Sequence, residues 1–122
     1  MSLPHTEIAN VVLAQLPQTR RECSVVYLDK QMRPAGSDIE VDYKKVLLDQ
    51  PTVVGFIDLE PEMNWGHACR YVLVNIESGE HRNIDAHFPP FLRENSSDLI
   101  VLFKGNKVPP WAVKKSNQTK SS

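Results

Sequence analysis

Cysteine is scarce: Cys23 and Cys69 are the only two in 122 residues, and no Cys-x-x-Cys occurs. That excludes a disulfide scaffold and compact zinc-type ligand spacing. Glycine is scarce too, five in all and never as Gly-x-Gly or Gly-Lys-Ser/Thr, so the usual cradle for nucleotide phosphates is missing. No cofactor is therefore expected. No apolar run approaches the ~20 residues that a membrane-spanning helix requires. Neither charge sign dominates: 14 Lys and Arg against 15 Asp and Glu leave a formal net charge of −1. A dedicated nucleic-acid binder would carry a basic stripe, so no nucleic-acid partner is expected. The opening Met1-Ser2-Leu3-Pro4-His5-Thr6-Glu7 lacks the basic and apolar regions of a secretory signal, and the expected setting is cytoplasmic.

What is present is globular composition, 41% hydrophobic and 24% charged, at a length typical of one domain. Residues 1–113 read as that domain. Residues 114–122 contain no apolar side chain and read as a disordered polar tail, because nothing there offsets the entropy of ordering.

Ile8, Val11, Val12 and residues 14–16 recur at helical spacing, which predicts a helix over 4–16, capped by Ser2 or Thr6 and stopped by Pro17. The β-branched and aromatic runs 23–28, 52–58 and 68–75 predict strands. Both cysteines thus fall on strands and are expected to be reduced and partly buried. Residues 38–48 are ambiguous, and a short strand followed by one or two helical turns fits them best. Glu77-Ser78-Gly79-Glu80 is a turn, with 81–88 as the returning strand of a hairpin. The uninterrupted apolar run 99–103 suits a strand buried on both faces or central in the sheet. Trp111 is expected to lid the edge of the core. The sum is an α+β fold: an N-terminal helix packed on a single, mainly antiparallel sheet of four to six strands.

Polar and aromatic residues crowd between the two firmest strands, over 58–71, where a rigid scaffold would hold a site. Three uses of that segment differ in chemistry. His67 and Cys69 stand two apart and share a face of an extended strand; with Asp85 or Asn83 as the orienting group they would make a Cys–His hydrolase or transferase. A metal is the second use. A turn at Ser78-Gly79 sets His81 opposite Ile76 and His87 opposite Arg70, so His67, Cys69 and His87 converge and His81 does not. The third use is binding. Trp65, Tyr71, Phe88 and Phe91 would form an aromatic end-patch, rimmed by Glu60, Glu62, Arg70, His87 and Arg93, which receives a protein or peptide segment along a sheet edge. This third reading is the one preferred here. The sequence does not set the oligomeric state, and a homodimer stays open.

The stretch Arg70-Tyr71-Val72-Leu73-Val74-Asn75-Ile76-Glu77-Ser78-Gly79-Glu80-His81-Arg82 resembles the strand–turn–strand unit of small PepSY-type and cystatin-like domains. The segment 58–71, with Asn64-Trp65-Gly66-His67, is similar to a motif in uncharacterised bacterial proteins, some of them attached to peptidase modules. The resemblance implies a helix-on-antiparallel-sheet fold. It also implies a peptidase-associated or peptide-binding accessory role, inhibitory or chaperoning, in place of catalysis. The loop by which true cystatins enter protease clefts is missing, so the resemblance does not extend to that route of inhibition.

Overall fold

The computed structural model describes residues 3–63, 66–88 and 99–113. The one α-helix among the described residues, α1, spans His5–Leu13. Pro4 occupies its N-cap without a side-chain hydrogen bond, so the expected Thr6 cap is not formed, and Ser2 lies outside the described residues. Residues 14–16 follow as turns: the Gln15 and Leu16 amides donate to the Val12 and Leu13 carbonyls. The polar connection after Pro17 is a 3-10 helix, Gln18–Cys23, and Cys23 is exposed at its end instead of sitting on a strand.

Among the described residues seven strands follow: β1 (Val25–Arg33), β2 (Asp38–Val41), β3 (Lys44–Leu47), β4 (Thr52–Asp58), β5 (Cys69–Asn75), β6 (His81–Ala86) and β7 (Leu99–Lys104). Five of them form one sheet in the order β6-β5-β4-β1-β7, and β2 and β3 pair with each other as a second, two-stranded sheet. Every pairing is antiparallel.

The main sheet is apolar on both faces because both are covered. On one face, Ile8, Val12 and Leu16 meet Val26, Leu28, Val53, Ile57, Val72, Val74 and Ile76. On the other, Ile39, Val41, Leu48, Val108 and Ala112 meet Val25, Tyr27, Val54, Phe56, Cys69, Tyr71, Leu73 and Leu99. The alternation of neighbours between these two sets is the period-two rule of strands. Gly55 sets the approach of the helix: a Cβ there would lie 2.5 Å from a methyl of Val12. Each such side chain taken from water contributes about 1.5–3 kcal/mol, so the two layers, and not helix propensity, hold α1 in place.

Four expectations need correcting. Residues 44–47 are a strand, not a helical turn. Asp42 and Tyr43 both take positive φ, 51° and 68°, and this tight reversal sets Ile39 opposite Val46. That pairing directs Ile39 and Val41 into the core and leaves Leu47 exposed. Second, β7 is an edge strand, not a central one. Most of its apolar run is covered, Leu99 in one core and Ile100, Leu102 and Phe103 against the other, while Val101 is 43% exposed. Third, Trp111 is 69% exposed, and its neighbour Ala112 fills the core position instead. Fourth, the β5–β6 register pairs Val74 with His81 and Arg70 with Asp85. The turn is longer than two residues: the Asn75 amide donates to the Glu80 carbonyl and the Gly79 amide to the Asn75 carbonyl. The expected register is off by two, an even step that keeps each side chain on its expected face but moves it along the ladder.

No described helix is long and apolar enough to cross a membrane. The expected tail, residues 114–122, lies outside the described residues.

Candidate functional site

The end of the sheet where β4 leaves and β5 and β6 meet is densely bonded. Asp58 closes β4 and pairs in register with Cys69. Its Oδ1 accepts from the Glu60 amide (3.1 Å) and lies 2.9 Å from Nε2 of the buried His67. The connecting loop is tied again by Glu60, whose carboxylate accepts from the Ala68 amide, and by Arg20, whose guanidinium donates to the Leu59 carbonyl. The His67 amide donates to the His87 carbonyl at 2.6 Å, fixing the loop to the residue just past β6. The loop is therefore held at its base, with Met63 exposed near its apex.

The β2–β3 turn reaches this same end. The Asp42 carboxylate accepts from the amides of His87 (3.1 Å) and Phe88 (3.0 Å). Beside it the Tyr43 ring packs on Phe88, centroids 5.1 Å apart. From below, the Tyr71 hydroxyl donates to the Phe88 carbonyl. On the other flank a Cβ on Gly66 would sit 2.8 Å from the Phe88 ring. Tyr43 is nevertheless 77% exposed and Phe88 36%. Two aromatic rings thus stand in contact with each other and with solvent, on backbone that is tightly fixed.

Tyr43 was not among the residues read as functional in the sequence. A bulky residue in the left-handed region costs about 1–2 kcal/mol. The available signal was the alternation of Ile39, Val41 and Val46 around Asp42-Tyr43, which reads as a hairpin once Asp is allowed positive φ.

The Cys69, His67 and Asp85 set is not brought together as a catalytic group. Cys69 is buried in the core shared with Tyr71 and Phe56. Burial first, then the Asp58, Asp42 and Asp85 carboxylates, push its thiol from the ordinary 9.0 up to about 12, the opposite of what a thiolate nucleophile needs. Asp85 points to the other face: it holds Arg70 at 2.6 Å, and Arg70 also donates to the Gln15 carbonyl at the end of α1. The metal arrangement also fails. His87 is exposed against Asp42, His81 stands opposite Val74 down the ladder, and no cluster of three or more His, Cys, Asp or Glu residues suited to a metal occurs among the described residues.

Of the residues expected to bind, Phe88 and His87 are exposed just past the end of β6. Tyr71 is buried beneath them, and burial raises its hydroxyl above the ordinary 10.0. Glu60 and Arg70 do not form a free rim, because each is engaged internally, whereas Glu62 is exposed. Trp65, Phe91 and Arg93 lie outside the described residues. Compared with known proteins, the chain matches no family model, no curated sequence and no solved structure.

Proposed function

We propose that this protein is a small binding module that takes an extended protein or peptide segment on an aromatic end-patch and the sheet edge beside it. The observation that carries the proposal is Tyr43, a large aromatic kept in the left-handed region with most of its surface in water. The ring is costly to the turn and only half used by the fold. An exposed, stiff aromatic is the residue type that dominates protein interfaces. The edge strand β6 runs directly into His87 and Phe88, so a chain added to β6 would end at the rings. The likeness to cystatin-like and PepSY-type domains favours the same accessory role. A reducing, cytoplasmic setting suits the free thiols of Cys23 and Cys69.

The test is selection of binders from a random peptide display library on the native chain, followed by titration against Tyr43→Gly. Glycine accepts positive φ, so the turn survives while the ring is lost. The expected result is a loss of roughly tenfold or more in affinity with an unchanged unfolding midpoint. Equal affinity for both chains removes the patch from the function.

A further inference from the structure

We infer that the extended segment received beside the end-patch is β6 of a second copy of this chain, paired antiparallel about a two-fold axis through Asn83. The inference rests on the end-patch reading above and names the partner.

Among the described residues β6 pairs on one side only, with β5. The Asn75 amide donates to the Glu80 carbonyl, and the register is constant along the strand. The main-chain groups of residues 82, 84 and 86 therefore face β5, and those of His81, Asn83 and Asp85 face out. All three of these residues are exposed. Such an open row is a template for another strand. The opposite edge, β7, has a register shift between Val101 and Phe103 in its pairing with β1, so its outward groups do not form an unbroken row.

A second copy meets β6 best in one register. A two-fold axis normal to the sheet keeps each side chain on its own face, so facing residues are both odd or both even in number. Centred on Asn83, the axis sets Asn83 opposite its own copy and His81 opposite Asp85 on both sides. Every outward main-chain group of β6 then has a partner. Centred on Arg82, guanidinium faces guanidinium, and Asp85 meets Gly79, whose amide is already given to the Asn75 carbonyl. Centred on Ile84, His81 meets His87, whose amide is held by Asp42 and whose carbonyl accepts from the His67 amide. Centred on Asp85, carboxylate faces carboxylate.

The side chains agree with the Asn83 register on both faces. On the helix face, Arg70 holds Oδ1 of Asp85, yet the Asp85 side chain is 71% exposed and has room to accept from His81 of the second copy. On the other face, Arg82 lies opposite Ile84 of the second copy, with the two Arg82 residues diagonal to each other. Their charge is offset by Glu80 and Asp49, which line one cleft with Arg82. Glu40, exposed on β2, faces Lys45 of its own hairpin. Continued past β6, the pairing brings the second copy's 77–80 turn level with His87 and Phe88, so the Tyr43–Phe88 rings cover that turn. Pairing six residues of edge strand buries less than about 1,200 Å², the size of weak interfaces, so the dimer is expected at micromolar concentration.

The experiment is sedimentation equilibrium of the full chain over about a hundredfold range of concentration spanning the micromolar. The native chain should pass from monomer to dimer. Asn83→Lys, which sets like charges on the axis, and His81→Asp, which sets a carboxylate opposite Asp85, should each weaken the dimer about tenfold or more. His81→Lys keeps the opposite charge and should not. Urea midpoints of the dilute, monomeric variants should match the native one, which shows that the fold is kept. Asn83→Cys combined with Cys23→Ser should give a covalent dimer under mild oxidation, because residues facing across a hydrogen-bonded pair lie within disulfide reach. Tyr43→Gly should weaken the dimer as well. If the native chain stays monomeric, the second-copy inference is wrong, and the end-patch stands if Tyr43→Gly still loses the displayed peptides. If a dimer forms that Asn83→Lys leaves intact and Asn83→Cys does not trap, it lies elsewhere and the inference is again wrong. If only the Tyr43→Gly effect is missing, the β6 pairing stands and the end-patch falls.

Discussion

Nε2 of His67 lies 2.9 Å from Oδ1 of Asp58, with the two side chains 3% and 2% exposed. The pair spans the base of the loop between β4 and β5. The loop is also tied by the Glu60 amide on Asp58, the Ala68 amide on the Glu60 carboxylate, the Arg20 guanidinium on the Leu59 carbonyl and the His67 amide on the His87 carbonyl. Replacing His67 by Ala removes one hydrogen-bond partner of the buried Asp58 carboxylate, which keeps the Glu60 amide. The expected cost is ~1–3 kcal/mol, read as a lowered urea midpoint. The loop amides should also lose hydrogen-exchange protection before those of β1.

Tyr43 allows a backbone cost to be separated from a ring contact. Tyr43→Ala and Tyr43→Gly both delete the ring and its packing on Phe88. Only alanine still bears a Cβ at φ 68°. The glycine variant is therefore expected to be more stable than the alanine variant by about 1 kcal/mol in thermal or urea unfolding. Equal stability would mean that the turn relaxes out of the left-handed region.

Gly55 lies directly beneath Val12 of the helix. Gly55→Ala places its Cβ 2.5 Å and 2.6 Å from the two methyls of a fully buried, short and β-branched side chain that has nowhere to swing. The expected loss is about 1–3 kcal/mol. Adding Val12→Ala should recover part of it, so a double-mutant cycle should give a favourable coupling near 1 kcal/mol.

The two thiols should behave differently. Cys23 is exposed and Cys69 buried. Ellman's reagent should titrate one thiol in the native chain and two in denaturant, and peptide mapping should place the native adduct on Cys23.

Alkali should unfold the chain through the same burial. The folded Cys69 thiol is pushed from 9.0 up to about 12, so the native state keeps a proton that the unfolded chain releases. Its stabilising effect is complete below about pH 9 and is lost progressively as pH rises towards 12. Tyr71, raised above 10.0, acts with the same sign at higher pH. The urea midpoint should be flat up to about pH 8.5 and fall from pH 9 to 11. Cys69→Ala should make that fall shallower.

The α+β class was legible because two local signals sufficed. The three- and four-residue spacing of Ile8, Val11 and Val12 marks α1, and the β-branched runs at 52–58 and 69–75 mark β4 and β5. Local pattern also placed His87 and Phe88 at the end of the return strand of the hairpin. It went astray wherever the same residues serve two geometries. Residues 44–47 suit a helix or a strand equally, and the choice was made by Asp42 entering the left-handed region and bonding to His87 and Phe88, 45 and 46 residues away. An uncharged run such as 99–103 looks the same at the edge or the centre of a sheet, because covering both faces demands apolar side chains in either place. Charge placement was not legible either. The sequence gives the number of carboxylates, and only the folded chain decides that Asp42, Asp58 and Glu60 turn inward while Lys44 and Arg82 stay in water. Composition and periodicity are properties of neighbours along the chain, so they determined the elements and their apolar faces. The site is made of contacts between residues distant in sequence, and those exist only once the layers have packed.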